Sequence, residues 1–235
     1  MATPLAAMAG LLAMLHSAPT AAQEGFYGSL KTGAAMPGDL DFSDRATSDL
    51  RLDSETGWTL GGALGYRFSP LLRAELALDY LDADVDGSYR ENVFAVPCGT
   101  FANQPCLGPA VDGDVNALSG FAMGYFDVDT GTSLSPYLGA GLGFSRIGVD
   151  VNTTARLNNG TSSPLAIVDD SDTAFGYRAT AGVSYTLKAA MIDVGYSYTR
   201  HDKSSFAAKG SAVQAFAFRP RLDSHDIKAG VRLAF

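Results

Sequence analysis

The chain has few of the residues on which disulfide scaffolds, metal sites and helical membrane proteins depend. It contains 2 cysteines, 3 histidines and 1 tryptophan in 235 residues. Two cysteines are too few for a disulfide-rich scaffold, and no His or second Cys pair sits near them to complete a zinc site. No run approaches the roughly 18 uninterrupted apolar residues of a membrane-spanning helix. If the chain crosses a membrane, strands must do so, because a spanning structure has to satisfy its own backbone hydrogen bonds.

Alternation with a period of two is abundant, and it is clearest over residues 225–235. Every second position from 227 onward is apolar, whereas Asp226, Lys228 and Arg232 occupy the other face. This pattern predicts a β-strand with one apolar and one polar face. A charged face beside an apolar face that ends on the aromatic Phe235 is typical of a strand between lipid and a polar lumen.

Seven further segments alternate in the same sense, and we expect their apolar faces to point outward. With the closing strand, the segments span about 25–36, 57–68, 71–81, 114–127, 136–147, 173–187, 190–201 and 226–235. In the fourth segment the apolar face carries Phe121, Met123 and Tyr125, and the fifth is rich in glycine and ambiguous. The aromatic residues expected in outward girdles are Trp58, Tyr80, Tyr177, Tyr196 and Tyr198.

The connectors between these segments are alternately short and long. The long ones cover residues 37–56, 82–113, 148–172 and 202–221, and their net charges are −4, −4, −3 and +3, which account for the net charge of −8. Short turns at one end and long loops at the other are the pattern of an outer-membrane barrel. We therefore predict an all-β fold, an eight-stranded antiparallel transmembrane up-and-down β-barrel. The alternative is a soluble eight-stranded barrel of the lipocalin type, whose interior would be the apolar face.

The first 22 residues have the pattern of a secretory signal peptide. An apolar segment over 5–15 precedes small residues up to Ala22, although no Lys or Arg comes before it. We expect residues 1–22 to be removed and residues 23–235 to form the barrel. In an exported protein the nearby pair Cys98 and Cys106 predicts a disulfide that closes a small loop.

Charged residues on the polar strand faces are expected to fill the barrel interior. Eight strands leave an interior just wide enough for side chains, and buried charges must be paired. We predict a plugged core of ion pairs rather than an open pore, with Asp193 and Arg232 close together on adjacent strands and Lys31 and Asp226 nearer mid-height. The interior candidates are Lys31, Arg73, Glu75, Asp79, Arg178, Asp193, Asp226, Lys228 and Arg232.

The residues that could carry catalysis or bind a metal form no convincing site. Residues 224–226 read Ser-His-Asp, but alternation points His225 away from its two neighbours, and a triad is a spatial arrangement. His201 near Ser204 or Ser205 stays a minor alternative. Residues 82–87 resemble the opening of a calcium loop, yet the bidentate Glu at its twelfth position is missing. We predict no enzyme activity, cofactor or metal.

The fourth long connector is the best candidate for a binding surface. It alternates cationic with aromatic residues, which suits the phosphates of lipopolysaccharide or an acidic partner. The residues concerned are Lys203, Phe206, Lys209, Phe216, Phe218, Arg219 and Arg221. An acidic protein of this composition is not expected to bind nucleic acid.

The mature chain resembles the small outer-membrane β-barrel surface proteins of Gram-negative bacteria, most of all the OmpA-type barrel domain and related alphaproteobacterial surface antigens. The resemblance rests on residues 24–28 (EGFYG), 137–143 (YLGAGLG) and 231–235 (VRLAF). It implies location in the outer membrane, contact with its lipids, and recognition of Phe235 by the barrel-assembly machinery. We expect a monomer with a structural or surface-interaction role. A lipid-modifying enzyme and a narrow, porin-like channel for small solutes are the alternatives, since many functions share this fold.

Overall fold

The computed structural model describes residues 24–38, 40–42, 50–89, 106–157, 162–187, 190–202, 206–208, 216–218 and 223–235. These residues form twelve strands: β1 (Gly25–Pro37), β2 (Leu40–Phe42), β3 (Leu50–Ser54), β4 (Gly57–Arg67), β5 (Leu72–Tyr89), β6 (Cys106–Asp127), β7 (Leu134–Leu157), β8 (Ser162–Thr186), β9 (Ala190–His201), β10 (Phe206–Ala208), β11 (Phe216–Phe218) and β12 (Asp223–Ala234). In this part of the chain no helix is long and apolar enough to cross a membrane.

Eight of the strands close into a barrel in chain order, β1–β4–β5–β6–β7–β8–β9–β12, with every neighbouring pair antiparallel. The ring closes where β12 pairs with β1, from Ala234 opposite Tyr27 to Ser224 opposite Pro37. Closure removes the free sheet edges of the barrel. The predicted eight-stranded antiparallel barrel is confirmed. Outside the ring, β2 and β3 extend the sheet beside β5, and β10 pairs with β11 as a separate hairpin.

Short connections lie at one end of the barrel, which we call the turn end; the opposite end is the loop end. Residues 68–71 join β4 to β5, and residues 128–133 join β6 to β7. In the second turn Gly131 has a φ of 68°, and its amide donates to the Asp129 carboxylate at 2.9 Å. Glycine adopts this left-handed conformation without steric cost, and so it permits the tight reversal.

A continuous apolar belt covers the outward face of the barrel. On β5 it runs from Leu72 to Tyr80, and Leu76 is 70% exposed. On β7 it ends at Phe144, which is 61% exposed and packs edge-on against Phe175 of β8. A strand that spans a membrane needs about 9–11 residues, and the belt has this height. The predicted girdle residues are also on this face: Trp58, Tyr80, Tyr177, Tyr196 and Tyr198.

Four neighbouring strands rise far beyond the belt at the loop end. The strands β5 to β8 have 18, 22, 24 and 25 residues, whereas β1, β4, β9 and β12 have 11 to 13. We call the part of β5–β8 beyond the belt the wall. The expectation of long loops over 82–113 and 148–172 is therefore wrong for most of these residues. Residues 82–87 also lie within β5 and do not form a calcium-type loop.

The reason for this error is that the pattern of the strands reverses at the top of the belt. On β5, β6 and β7 the inward residues of the wall are apolar, and Ala83, Val115 and Val149 are 2%, 7% and 5% exposed. On β8 the inward positions opposite Ile147 and Val149 are instead Asp172 and Asp170. The outward residues there are polar, as with Asp114 and Asp150. A wall surrounded by water must bury its apolar face within the sheet, whereas a belt surrounded by lipid exposes it. Apolar and polar residues still alternate in the wall, but the outward residues are polar there, whereas those of the belt are apolar.

Inside the belt, large side chains pack over glycines of the neighbouring strand. A β-carbon at Gly65 would lie 2.3 Å from the Tyr27 ring, and one at Gly139 would lie 2.4 Å from the Tyr125 ring. Glycine therefore leaves the space that these rings occupy. The ambiguous fifth segment is explained in this way, because its leucines point outward and its glycines lie inward under Tyr125, Met123 and Phe121.

One expectation about β6 is wrong. Its apolar face, with Phe121, Met123 and Tyr125, points into the barrel rather than toward lipid, and these residues are 2%, 3% and 6% exposed. They form a small apolar cluster with Tyr137. The outward face of β6 is instead built largely of Gly120, Ala122 and Gly124 between Leu118 and Phe126. Aromatic rings fill the interior here because they also lie over buried guanidinium groups, as described below.

Candidate functional sites in the barrel interior and at the loop end

Near the turn end, a cluster of charges crosses the barrel interior around Arg73. Its Nε lies 3.0 Å from Asp127 Oδ2, and its guanidinium also pairs with Glu75. The Tyr27 hydroxyl donates to Glu75 at 2.9 Å. The Arg73 guanidinium carbon lies 3.8 Å from the centre of the Tyr125 ring, a cation–π contact. Both charges of the Arg73–Glu75 pair are buried, so each depends on the other for compensation.

A second pair lies beside this cluster, between β9 and β12. Arg232 Nη2 is 2.6 Å from Asp193 Oδ1, and the Ser184 hydroxyl donates to the same carboxylate at 2.5 Å. The structure thus places Asp193 and Arg232 together, as the sequence suggested. Arg67, which the sequence analysis left out, adds a third cation near the turn end, 3.4 Å from Asp127.

Toward the loop end a third cluster is centred on Asp79. Its two carboxylate oxygens accept from Arg178 and from Lys228, the latter at 3.0 Å. Lys228 also lies 3.7 Å from Asp226. The Arg178 Nε donates to the Thr199 hydroxyl at 2.9 Å, which orients the guanidinium across the barrel. These bonds join strands on opposite sides of the ring and not only neighbours.

All nine interior candidates lie on the inward face, but their partners differ in part from the arrangement expected. Lys31 lies opposite Gly230 in the strand pairing, and its Nζ is 3.6 Å from Glu75 rather than near Asp226. Alternation reveals which face a residue occupies, whereas pairing across the interior depends on barrel geometry. Asp127 was missed because it is the last residue of its strand, although it continues the inward phase of Tyr125.

A buried hydroxyl–imidazole network lies above the charged clusters. Ser145 Oγ is 2.7 Å from His201 Nε2 and 2.7 Å from Ser119 Oγ. A serine beside a histidine has the composition of a nucleophile and its base. Ser145, however, has no exposed surface, and His201 is only 8% exposed. No lipid or solute reaches this serine in the described geometry, and the network connects β6, β7 and β9.

The other catalytic candidates are separated by the fold. Ser224 and Asp226 point inward and bond to each other at 2.7 Å, whereas His225 points outward. Its Nδ1 lies 2.5 Å from the Tyr196 hydroxyl. Residues 224–226 therefore do not form a triad, as the alternation indicated. Ser204 and Ser205 lie outside the described residues.

On the outward face of the wall, four aspartates stand in one row. The strand pairing sets Asp84 opposite Asp114, Asp114 opposite Asp150, and Asp150 opposite Asp169. A hydrogen bond with the Asp84 carboxyl raises the pKa of Asp114, and the nearby charges of Asp82 and Asp150 raise it further. Like charges directly opposite one another destabilise a sheet. The row makes this side of the wall strongly acidic.

The remaining candidates lie partly outside the described residues. Cys106 begins β6, but Cys98 is not described, so the disulfide stays a prediction. In the fourth connector the pairing of β10 with β11 sets residue 206 opposite residue 218, while Lys203, Lys209, Arg219 and Arg221 are not described. Phe235 is 62% exposed, and its amide donates to the Phe26 carbonyl at 3.0 Å, which anchors the chain end at the turn end of the belt.

Comparisons with known proteins agree with this architecture. The chain is 24% identical over 240 residues to the outer membrane protein PagN of Salmonella typhimurium, with 95% of each chain covered. It is 31% identical over 154 residues to an uncharacterized protein of Brucella abortus, covering 61% of this chain and 51% of the other. The chain thus spans about half the length of that curated relative. The crystal structure of Neisserial surface protein A is similar in fold, with a TM-score of 0.54, 22% identity, and coverage of 90% of this chain and 97% of the other.

The model of one protein family matches residues 5–235, nearly the whole chain. This match agrees with the closed barrel, and together with the relatives above it places the protein in the outer membrane of Gram-negative bacteria. In barrels of this kind the short turns face the periplasm and the longer loops face the outside of the cell. The chain belongs to the family of the outer membrane protein beta-barrel domain.

Proposed function

We propose that the protein is a closed, non-enzymatic barrel that presents its wall and loops as a recognition surface outside the cell. The observation that carries this proposal is the network of paired charges that crosses the barrel interior at two heights. Arg73 with Glu75 and Asp127 fills one level, and Arg178 with Asp79 fills the other. Eight-stranded barrels have room for little more than such side chains, so the interior favours a plug over a transport path.

The wall supports the proposal that the protein presents a recognition surface outside the cell. From Arg146 to Leu157, β7 adds roughly 40 Å of strand beyond the belt, at about 3.3 Å per residue. Spanning the membrane and closing the barrel do not require this extension. An extended sheet with a row of aspartates on its outward face offers an acidic surface to a cationic partner.

The same contacts bear on the alternatives. A lipid-modifying enzyme needs a nucleophile and a base that lipid can reach, and the Ser145–His201 pair is buried in the interior. A channel needs a continuous wet path, and the small cavity in the centre is lined by charged side chains, including Lys31, Glu75 and Arg178. We further propose that the protein is a monomer, contacts lipopolysaccharide, and is inserted by the barrel-assembly machinery through Phe235.

Conductance in planar bilayers tests the plug. We expect the unaltered protein to show no steady channels, because removing a paired charge from the interior is costly. Asp79→Asn leaves Arg178 and Lys228 without their shared carboxylate and is expected to produce brief openings. Large steady channels in the unaltered protein would contradict the proposal.

Surface labelling tests the orientation of the wall. In a Cys98→Ser and Cys106→Ser background, we expect a membrane-impermeant maleimide to label Asn116→Cys on intact cells. The matched control is Thr130→Cys in an exposed turn at the opposite end, which should react only after the cells are opened. The reverse pattern would place the wall in the periplasm and end the proposed role.

A further inference from the structure

We propose that the outward surface of the barrel at β9 and β12 carries a binding site for the phosphorylated sugar headgroup of the lipid in the surrounding outer leaflet. Arg200 is its central residue. The site, which we call the headgroup patch, comprises Tyr196, Tyr198, Arg200, Asp223 and His225. This inference rests on the contact with lipopolysaccharide proposed above and deepens it by naming the site and the chemical group that is bound, but it is independent of the recognition role of the wall.

The headgroup patch is a connected network on the outward face. The Tyr196 hydroxyl lies 2.5 Å from His225 Nδ1. The imidazole stands beside two tyrosine rings, 5.9 Å from the centre of Tyr196 and 5.1 Å from that of Tyr198. The Tyr198 hydroxyl donates to Asp223 at 3.4 Å and also bonds to Arg200. These contacts hold the side chains in a fixed arrangement before any ligand arrives.

The height of the patch on the barrel matches the level of lipid headgroups. On β12 the last apolar residue of the belt is Ile227, 52% exposed, and His225 follows it. On β9 the belt passes Tyr196 and Tyr198 before Arg200. Tyrosine is typical of the interface between hydrocarbon and water. Arg200 and His225 therefore lie where acyl chains end and phosphate groups begin.

The donor chemistry suits a phosphorylated sugar. A guanidinium has five N–H donors in a planar fork that matches phosphate oxygens. The Tyr198 hydroxyl accepts from only part of this fork, Asp223 lies opposite Arg200 in the strand pairing, and the Arg200 side chain is partly exposed on the outward face. When His225 Nδ1 accepts the Tyr196 proton, the proton of a neutral ring is on Nε2, which becomes a second donor. The tyrosine rings offer apolar faces for a sugar ring.

Among the residues that the structure describes, the other strands do not offer this chemistry at the same level. The first polar outward residues above the belt on β5, β6 and β8 are Asp82, Asn116 and Thr173. Arg146 on β7 is the second arginine of this ring, but it donates to Ser171 at 3.3 Å and lies below the aspartate row of the wall. Phosphate is repelled by that row, so charge complementarity favours the β9–β12 side.

The charge of Asp223 allows the proposal to be tested by the direction in which the binding affinity changes. Its carboxylate lies across from Arg200 in the strand pairing and opposes the approach of a phosphate. Asp223→Asn keeps the size of the side chain and removes this charge. If phosphate binds at Arg200, the substitution must strengthen binding, whereas a purely structural role of the network predicts weaker binding or none.

The experiment titrates fluorescently labelled, bis-phosphorylated lipid A into full-length protein refolded in a maltoside detergent, which carries no phosphate. The proteins are the unaltered chain, Arg200→Gln, Asp223→Asn and the matched control Arg146→Gln. The gel shift between boiled and unboiled samples verifies that each barrel is closed. Dephosphorylated lipid A and excess inorganic phosphate complete the set of probes.

We expect Arg200→Gln to weaken binding about tenfold, the loss of one charge-assisted contact of about 1.4 kcal/mol. Asp223→Asn should bind a few-fold more tightly, and Arg146→Gln within about twofold of the unaltered chain. Equal losses in Arg200→Gln and Arg146→Gln would overturn the site in favour of general surface charge. Equal binding of dephosphorylated lipid A would also overturn it, and full displacement by inorganic phosphate would mean a site for the free anion.

Discussion

The strands β5 to β8 run through both the belt and the wall, yet the belt turns apolar residues outward and the wall turns polar residues outward. In the belt, Leu76 faces lipid while Glu75 is buried inside, and in the wall Asp114 faces water while Val115 is buried. A lipid-facing sheet exposes its apolar side, and a water-facing sheet buries it. On β6 the outward face changes from apolar to polar between Leu118 and Asn116, without a break in the strand. Surroundings, and not backbone geometry, decide which face is apolar.

The largest expected effect comes from the charges inside the belt. Arg73→Ala removes the partner of the buried Glu75 and Asp127 carboxylates, so we expect a loss of about 3–5 kcal/mol in the free energy of unfolding. Urea unfolding in lipid vesicles measures it. Arg146→Ala, an arginine on the outer surface, is the control and should change stability by less than about 1 kcal/mol. Similar losses in both variants would mean that the interior network does not stabilise the belt.

A smaller effect is expected from the packing of rings over glycines. Gly139→Ala places a methyl group against the Tyr125 ring and should cost about 1–3 kcal/mol by overpacking. Tyr125→Leu relieves the clash but leaves Arg73 without its ring contact. In a double-mutant cycle, the losses in the free energy of unfolding of the two single variants should therefore sum to more than the loss of the double variant. Simple additivity would show that the ring and the glycine are not coupled.

The smallest effect concerns the aspartate row in the wall. Asp114 has a raised pKa through its bond to Asp84, so its charged form destabilises the folded wall. This destabilisation is complete at pH values above the pKa of Asp114 in the folded state. It is relieved as the pH falls from that pKa toward the lower pKa of the unfolded chain. We expect amide protection in β6 above the belt, corrected for intrinsic exchange, to increase from about pH 7 to about pH 4.

Asp114→Asn provides the matched control for this pH dependence. It removes one charge from the centre of the row, and we expect it to raise protection at neutral pH and to reduce the pH response. Amides of β9 within the belt should show neither change. A pH response of the same size in Asp114→Asn would assign it to other groups.

Sequence alone predicted the parts of the fold where lipid sets the pattern. The strand at 226–235 was correctly placed with Asp226, Lys228 and Arg232 inward, because every outward position there must be apolar. The phase of β6 was missed, since Phe121, Met123 and Tyr125 are apolar residues inside a polar interior. They are held there by glycines and guanidinium groups of other strands, which a pattern within one segment does not contain.

For the functional sites too, the sequence predicted one part correctly and missed another. Alternation placed all nine charged candidates on the inward face, but it did not pair Lys31 with Glu75 or Ser145 with His201. The last two residues are 56 positions apart and meet only through the barrel. The wall was taken for loops because its alternation has the opposite sense, and a water-facing sheet is recognised only when both senses are considered.

The reversal between belt and wall is tested most directly by spin-label accessibility in bilayers. Single cysteines, in a background without Cys98 and Cys106, would carry the label at Leu76, Leu118, Asn116 and Asp114. We expect high accessibility to oxygen and low accessibility to a water-soluble quencher at 76 and 118, and the opposite at 116 and 114. A label at 114 in the hydrocarbon, or one at 76 in water, would contradict it.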